Sequence, residues 1–311
     1  MWRDRDQMMR NQSLPAMRGY RRGIARPIGC EGIGLHSGTP VAMRFVPSES
    51  GSGIVFHRTD LGVSIPARYD YVVETQLSTT IGIGEHRIGL VEHVMAALAG
   101  LGVDDVRIEV NGAELPILDG SAAEFAFLLT CAGIVESDMP RSTLDVLRPV
   151  RVIDGNVMAE LHPISVGEPN FPMALTIDFA DAAIGRQHLA LTMDAERFRH
   201  DLAPARTFTL AAEIKALRAA GLAQGGSLAN AIVVEAGHVV NPEGLRWPDE
   251  FVRHKMLDVV GDLALAGAPI RGRFIGERTG HRMNNRLLRA LFADANNYRI
   301  TTPAPVLAAV A

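Results

Sequence analysis

The sequence is short of cysteine, of a secretory signal and of long apolar runs, and each shortage excludes a class of protein. Its 311 residues include two cysteines, Cys30 and Cys131, too few for a disulfide framework, and neither lies in a C-x-x-C motif. The N-terminus lacks the apolar segment that a secretory signal requires. No apolar run approaches the ~20 residues needed to cross a bilayer. These absences favour a cytoplasmic protein that is not an integral membrane protein.

Lysine is also scarce, because arginine supplies almost all of the positive charge. Of the 31 basic residues only Lys215 and Lys255 are lysines, and 35 acidic residues give a net charge of −4. This balance argues against a general nucleic-acid-binding surface, so no nucleic-acid partner is expected. The apolar content of 47% and the charged content of 21% are typical of an ordinary globular protein.

The chain begins with a polar, arginine-rich stretch and then changes character. Residues 1–23 lack periodicity and are predicted to be a disordered leader. From Ile28 onward, short apolar segments bounded by glycine predict strands, and periodic apolar segments predict helices. At the second helix, Ser121 and Glu124 have the spacing of a capping box. The helices are predicted near residues 91–100, 121–132, 209–220, 250–266 and 280–293.

The order of these elements occurs twice along the chain. Each half has several strands, a helix with a histidine near its start, a short turn, a strand and another helix. A break near residues 139–143 divides the chain into an N-terminal domain, 24–143, and a C-terminal domain, 144–311. The repeat predicts an α+β fold of two similar domains that face each other, with a site in the seam between them.

His254 and Asp258 form the first candidate constellation. They lie four residues apart in a predicted helix, which places both side chains on one face. A neutral imidazole and a carboxylate there can bind one zinc ion, and Asp262, one turn further, can orient a ligand. The same spacing also occurs in solvent-exposed pairs on amphipathic helices, so the motif alone leaves both interpretations open.

Two further histidines have neighbours that suggest chemistry. His93 offers a third zinc ligand, and Glu92 beside it offers a base for a water molecule; alternatively, Glu92 only favours the start of its helix. His281 offers an acid for a leaving nitrogen, because its ordinary pKa lies near neutrality. The alternative is an incidental histidine near a helix start.

A glycine-rich segment supplies one more candidate binding site. Backbone N–H groups of Gly225-Gly226-Ser227 can bind an anion, although most runs of this kind are simple turns.

Together these fragments resemble the zinc-dependent UDP-3-O-acyl-N-acetylglucosamine deacetylases of lipid A synthesis in Gram-negative bacteria. The resemblance covers the chain from about Ile28 to the C-terminus, and its strings occur in the family's order. The matching strings are Gly32-Ile-Gly-Leu-His-Ser-Gly38, Val91-Glu-His93, Glu114-Leu-Pro-Ile-Leu-Asp-Gly-Ser121, Ala205-Arg-Thr-Phe208, Gly225-Gly-Ser227, Asp249-Glu-Phe-Val-Arg-His-Lys-Met-Leu-Asp258, Gly261-Asp262, Gly280-His281 and Asn284-Asn285.

The resemblance implies a β-α-α-β sandwich of two similar α+β domains, each bearing a small insert. It implies hydrolysis of the 2-acetamido group of UDP-3-O-(3-hydroxyacyl)-N-acetylglucosamine, which gives acetate and a free amine. One Zn²⁺ per chain and an acylated UDP-sugar are the expected cofactor and small-molecule partner. Nothing in the strings calls for a second subunit, so a monomer is expected.

The resemblance also assigns roles to individual residues. It implies His93, His254 and Asp258 as zinc ligands and Glu92 as the general base. His281 matches the acid for the leaving amine, with Asp262 as its orienting carboxylate. The remaining matches are Thr207 at the oxyanion, Lys255 near the substrate's charged groups, Phe208 near the sugar, Asp178 and Phe179 near the uridine, and Gly226 in a substrate-binding turn.

Three positions depart from the pattern or stay open. Val157 stands where some relatives have a lysine after an Asp-Gly turn, so one nucleotide contact is expected to be lost or moved. Residues 183–195 are expected to help line the acyl passage. His36, within the Gly-Leu-His-Ser-Gly string, is either a structural or a functional residue.

Overall fold

The computed structural model describes residues 19–165, 167–168 and 171–303. The strands are β1 (Tyr20–Ile24), β2 (Ile28–Ile33), β3 (Pro40–Val46), β4 (Ile54–Arg58), β5 (Val63–Pro66), β6 (Val72–Glu74), β7 (Thr80–Ile83), β8 (His86–Ile88), β9 (Val106–Val110), β10 (Ile134–Pro140), β11 (Thr143–Val146), β12 (Val150–Asp154), β13 (Val157–His162), β14 (Pro172–Asp178), β15 (Arg186–Thr192), β16 (Phe208–Leu210), β17 (Ile232–Glu235), β18 (His238–Val239), β19 (Ile270–Arg271), β20 (Arg273–Glu277) and β21 (Tyr298–Thr301). The helices are α1 (Glu92–Leu101), α2 (Ala123–Ala132), α3 (Ala195–Arg197), α4 (Ala211–Ala219), α5 (Glu250–Ala264) and α6 (His281–Phe292).

Two five-stranded sheets repeat one topology. The first has the order β2-β3-β9-β4-β5 and the second has the order β12-β13-β20-β14-β15. In each sheet the central strand is the last in sequence and runs antiparallel to one neighbour and parallel to the other. The α+β class is therefore confirmed, and the repeated topology supports the predicted duplication. The domain boundaries and the four-layer sandwich stay predictions.

Alternation along the strands explains how each sheet buries one face. In β3, Val41, Met43 and Phe45 are buried, whereas the residues between them are at least partly exposed. Such a period of two places the apolar side chains on the face that meets the helices. Helix α1 is different, because all of its residues except Ala99 are buried. An apolar helix of this kind must be enclosed on every side.

Helices α1 and α5 approach each other closely at one glycine. A Cβ atom added to Gly261 would lie 2.0 Å from the Glu92 carbonyl oxygen, so only glycine fits there. This contact brings the first turn of α1, with Glu92 and His93, beside the middle of α5, with His254 and Asp258. The packing of two elements that are far apart in sequence thus assembles the site.

The predicted leader is wrong for its last residues. Tyr20–Ile24 form β1, which pairs antiparallel with β10. Arg22 is only 1% exposed and makes an ion pair with Glu136 at 3.0 Å. The stretch is polar in sequence because it contains arginines. These arginines can be buried because acidic side chains pair with them. Residues 1–18 of the predicted leader lie outside the described residues.

Two helix starts also differ from expectation. Helix α2 begins at Ala123, and Ala122 rather than Ser121 takes the N-cap position. The Ser121 hydroxyl donates to Asp119 at 2.7 Å and accepts from the Ala123 N–H at 3.2 Å. The Ser121 N–H donates to Asp119 at 3.0 Å, the place that a capping box gives to Glu124. The segment predicted as helix from residue 209 starts as strand, because Phe208–Leu210 pair with β17 before α4 begins.

Strands β16, β17 and β18 form a small separate sheet. In sequence, these strands and α4 lie between β15 and β20 of the second five-stranded sheet. In the first half, β6, β7 and β8 form a corresponding three-stranded sheet. Both small sheets carry residues toward the site described below. No helix in the described ranges is long and apolar enough to span a membrane.

Candidate active site

A cleft of about 260 Å³ collects residues from both halves of the chain. Leu35, Leu77 and Leu90 come from the first half, and Leu210 and Glu213 come from the small sheet and α4 of the second. Most of the residues that the sequence singled out line this cleft. They are Glu92, His93, Phe179, Thr207, Phe208, His254, Lys255, Asp258 and His281.

Three buried side chains in the cleft form a candidate metal centre. Oδ1 of Asp258 lies 3.4 Å from Nε2 of His254 and 3.7 Å from Nε2 of His93. The three residues offer one ligand atom each, and these atoms all lie within 4.8 Å of one another. Ligands of a tetrahedral zinc ion, each about 2.0–2.2 Å from the metal, lie about 3.4 Å apart. The spacing therefore fits such an ion.

Hydrogen bonding within the centre leaves the ligand atoms available. Oδ1 of Asp258 is buried and has no hydrogen-bond partner among the described residues, whereas Oδ2 accepts from Lys255 Nζ at 2.7 Å. The Ala205 carbonyl lies 3.0 Å from Nδ1 of His254, which places the proton on Nδ1 and leaves Nε2 as a lone-pair donor. A buried carboxylate oxygen without a partner is costly, and a bound cation would satisfy it.

Electrostatics give this centre the donor set that a divalent cation requires. Burial, with the neighbouring His254, lowers the pKa of His93 to about 3, and burial also lowers the pKa of His254. For Asp258, burial opposes ionisation, but His254 and Lys255 outweigh it and lower the pKa of the carboxyl. Two neutral imidazoles and one carboxylate are typical ligands of catalytic zinc.

Glu92 is placed to act as a base. Its Oε2 accepts a hydrogen bond from the Thr79 backbone N–H at 2.9 Å, which fixes the carboxylate beside the candidate metal centre. Complete burial raises the pKa of Glu92 to about 7, although nearby His281 opposes this. A carboxylate with a pKa near neutrality can accept a proton and release it again at physiological pH.

His281, the first residue of α6, is placed to act as an acid. Its Nδ1 lies 2.9 Å from Oδ2 of Asp262, and its Nε2 lies 3.9 Å from Oδ2 of Asp258. Burial disfavours the cation, but Asp262 and Glu92 outweigh it and raise the pKa of His281 to about 9. The imidazole is therefore protonated at neutral pH and can donate a proton. Asp262 itself lies behind His281 and outside the cleft lining.

Thr207 and Lys255 complete the polar lining of the cleft. The Thr207 backbone N–H donates to Gly120 at 2.8 Å and its carbonyl accepts from Ile232 at 2.8 Å, so the residue is anchored on both sides. For Lys255, burial disfavours the charge, but the contact with Asp258 outweighs it and raises the pKa of the ammonium. The cleft thus holds a threonine with an anchored backbone and a lysine whose ammonium is paired with Asp258.

Aromatic rings form one wall beside the candidate metal centre. The Phe208 ring packs edge-on against Phe179 with centroids 5.4 Å apart, and against Phe251 with centroids 5.0 Å apart. It also reaches the imidazole of His254, with centroids 6.3 Å apart. An apolar wall of this kind excludes water and offers a face on which a sugar ring can pack.

Two predicted substrate residues lie outside the cleft lining. Asp178 makes ion pairs with Arg278 and, at 3.7 Å, with Arg186.

The structure contradicts the anion cradle predicted at Gly226, because all three N–H groups of the run already have acceptors. Gly225 donates to Leu35, Gly226 donates to Ala223 and Ser227 donates to Asn230. The run is a turn that joins the second half to the loop around Leu35.

His36 and residues 183–195 lie outside the cleft lining. Glu114 accepts from the backbone N–H groups of His36 and Ser37, and both ring nitrogens of His36 are buried without a hydrogen-bond partner among the described residues. Leu35 lines the cleft, whereas His36 does not. Residues 183–195 do not line it either; the second half contributes Leu210 and Glu213 instead.

Sequence reasoning missed two positions behind the cleft. Thr79 donates its hydroxyl to Oδ1 of Asp262 at 2.6 Å as well as its N–H to Glu92. Asn284 donates its amide to Oδ2 of Asp262 at 2.8 Å. Asn284 belongs to a quoted string, but Thr79 lies in a short strand pattern that carries no chemical signal.

Comparisons with known proteins agree on one family. The family model described as UDP-3-O-acyl N-acetylglycosamine deacetylase matches residues 21–293. The chain is 44% identical over 280 residues to the UDP-3-O-acyl-N-acetylglucosamine deacetylase of Anaeromyxobacter sp. (strain Fw109-5), a match that covers 90% of this chain and 91% of that protein. A protein of the same name from Shewanella baltica (strain OS155) is 45% identical over 288 residues, 91% of this chain and 93% of its own length. One from Phenylobacterium zucineum (strain HLK1) is 44% identical over 293 residues, with 93% and 99% covered.

Proposed function

The chain belongs to the UDP-3-O-acyl N-acetylglycosamine deacetylase family, and from this premise we propose that it deacetylates UDP-3-O-(3-hydroxyacyl)-N-acetylglucosamine. Water adds to the acetamido carbon, the C–N bond breaks, and acetate and a free amine are released, as a step of lipid A synthesis. The observation that carries the proposal is the single cleft in which His93, His254 and Asp258 meet Glu92 and His281.

Zinc is the proposed cofactor, with one ion per chain held by His93, His254 and Asp258. The unpartnered Oδ1 of Asp258 and the oriented Nε2 of His254 support this assignment. When bound there, zinc would supply a Lewis acid that polarises the amide carbonyl and lowers the pKa of water.

Glu92 and His281 divide the proton transfers between them. Glu92, near neutral in its pKa, accepts a proton from the attacking water as the new C–O bond forms. His281, protonated at neutral pH, donates a proton to the nitrogen as the C–N bond breaks, because an amine leaves poorly as an anion. Two groups with pKa values on either side of the working pH can act as base and acid in the same turnover.

The remaining residues hold the substrate and the developing charge. The Thr207 hydroxyl is proposed to donate to the oxyanion of the tetrahedral intermediate. Lys255 supplies a point charge near the substrate's charged groups. Phe208 is proposed to pack on the sugar, and Asp178 and Phe179 to lie toward the uridine. With the backbone donors of Gly226 and its neighbours already used, no anion cradle is proposed there.

The wider setting of the enzyme is also a proposal. The two free thiols, Cys30 and Cys131, are in keeping with a reducing compartment and a cytoplasmic location. We propose that one chain is sufficient for activity, since both halves of the cleft come from a single chain. The N-terminal and C-terminal domains are proposed to divide near residue 143.

The decisive experiment combines metal analysis with acetate release from the UDP substrate. Purified enzyme is expected to hold zinc in a 1:1 ratio and to release acetate, while His254→Ala loses both. His238→Ala is the matched control, because His238 lies in β18 and is exposed. Enzyme that neither binds zinc nor releases acetate under conditions where it is folded would overturn the proposal.

A further inference from the structure

Behind His281 a chain of buried polar side chains leads away from the cleft. Oδ2 of Asp262 lies 2.9 Å from His281 Nδ1 and accepts from Asn284 Nδ2 at 2.8 Å. The Asn284 carboxamide in turn accepts, through Oδ1, a hydrogen bond from the Thr279 hydroxyl at 2.9 Å. Asn284 is 0% exposed and Thr279 is 4% exposed. Four polar side chains are thus joined without solvent.

The order of donors in this chain is fixed by the carboxylate of Asp262. A carboxamide has one accepting oxygen and one donating nitrogen, and either could face Asp262 if the amide rotated. An ionised carboxylate only accepts, so Asp262 requires the nitrogen of Asn284 to face it. The oxygen of Asn284 then points away from Asp262, where the Thr279 hydroxyl donates to it and anchors the carboxamide.

Local sequence explains why these residues meet. Thr279 lies just before α6 and His281 is its first residue, while Asn284 lies three residues later on the same face. Asp262 comes from α5, one turn beyond Asp258, and its other oxygen accepts from Thr79 at 2.6 Å. With both oxygens engaged, the carboxylate cannot rotate without breaking a buried hydrogen bond.

We propose that Asn284, anchored by Thr279, is a positioning residue that holds Asp262 against His281 and so aims His281 Nε2 into the cleft. The inference rests on the proposed role of His281 as the acid. Neither Asn284 nor Thr279 lines the cleft, so both act through Asp262 and not on the substrate. Small displacements of a proton donor reduce turnover more than they reduce binding.

The test compares purified, zinc-loaded full-length variants in steady-state acetate release. Asn284→Ala and Thr279→Val are expected to lower kcat by about 10- to 100-fold and about tenfold respectively, with KM within about twofold of the wild-type value and zinc content still 1:1. Thr279→Ser keeps the hydroxyl and is expected to restore wild-type kcat. If Asn284→Ala fails to fold, the Thr279→Val and Thr279→Ser pair carries the test alone.

Two controls separate positioning from general packing. Asn285→Ala removes an amide hydrogen bond to the Tyr69 carbonyl at 3.0 Å, next in sequence but directed elsewhere, and is expected to leave kcat unchanged. In an Asp262→Ala background, Thr279→Val is expected to lower kcat no further, because the hydrogen-bonded chain to His281 is already broken at Asp262. Wild-type kcat in Thr279→Val, an equal loss in Asn285→Ala, or full additivity with Asp262→Ala would each overturn the inference. The wild-type enzyme, loaded with zinc, is assayed alongside. If it releases acetate, any of these results contradicts the positioning role and not the proposed function.

Discussion

The two halves share a strand order but contribute to the cleft in different ways. From the first half, Glu92 and His93 lie in the first turn of α1, a helix enclosed almost completely by other residues. From the second half, His254, Asp258 and Asp262 follow one another at intervals of four along α5, a longer helix. The first half therefore supplies one turn of a buried helix, whereas the second supplies a continuous face.

This difference shows how a scaffold with a repeated sheet topology can assemble a single site. A face with a period of four can hold two ligands and an orienting carboxylate by local geometry alone. The residues of α1 reach the same centre only because Gly261 allows the two helices to touch. The second half is thus organised locally, and the first half depends on tertiary packing.

Removing a proposed metal ligand from each half is the strongest way to test that contrast. His93→Ala and His254→Ala are both expected to lower turnover on the order of 10³-fold or more, because each removes a ligand from the proposed Lewis acid. Zinc content measured on the dialysed proteins should fall below 1:1 in both. Full retention of zinc by His93→Ala would restrict the metal centre to the second half.

The proposed acid and base also come from different halves, which makes their pH dependence separable. Glu92 must be ionised, so kcat/KM is expected to fall as the pH drops below about 7. His281 must be protonated, so kcat/KM is expected to fall as the pH rises above about 9. The wild-type profile is then bell-shaped, and its two limbs belong to a coupled pair of groups.

Variants assign the limbs of that profile. Glu92→Gln and His281→Gln are each expected to lower kcat about 10²- to 10⁴-fold with zinc retained. Glu92→Gln should abolish the acidic limb and His281→Gln the alkaline limb, as measured by acetate release across the pH range. Loss of the same limb in both variants would contradict the division of roles, and loss of zinc in His281→Gln would make His281 a ligand.

Two glycines test the dependence of the first half on packing. A Cβ on Gly261 would meet the Glu92 carbonyl oxygen at 2.0 Å, and one on Gly100 would meet the Phe198 ring at 2.1 Å. Overpacking of this kind lowers the free energy of unfolding by about 1–3 kcal/mol, measurable by urea denaturation. Only Gly261→Ala is also expected to lower kcat in the folded, zinc-loaded protein, since it displaces the backbone of Glu92. Equal kcat losses in Gly100→Ala would show that stability alone sets the rate.

Sequence reasoning predicts the periodic elements well and the paired polar ones poorly. The strand Val106–Val110 and the helix from residue 250 follow apolar periodicity, which a single segment displays. Residues 20–23 are predicted as part of the leader because the partners of Arg21 and Arg22, Asp105 and Glu136, are distant in sequence. A charge that is neutralised by a remote residue cannot be distinguished from a solvated one in sequence.

The candidate site follows the same rule. The spacing of His254 and Asp258 and the neighbours of His93 and His281 mark these residues only as candidates. The resemblance assigns their roles, and the structure brings them together with Glu92 in one cleft. Thr79 has no such signal, because it joins Glu92 and Asp262 only after both halves have folded. The turn at Gly226 shows the opposite error, since donors that look free in sequence are used by the fold.

The two lysines offer the finest comparison, because one lies in the cleft and the other on an exposed helix. Lys255 lines the cleft and donates to Oδ2 of Asp258 at 2.7 Å, whereas Lys215 is exposed on α4. A planar guanidinium would spread its donors over space that the compact ammonium leaves to the substrate. Lys255→Arg is therefore expected to fold and bind zinc but to lose about tenfold in kcat/KM, about 1.4 kcal/mol, while Lys215→Arg keeps the wild-type value. Since arginine supplies nearly every other positive charge in this chain, wild-type kcat/KM in Lys255→Arg would mean that the charge at residue 255 matters and its shape does not.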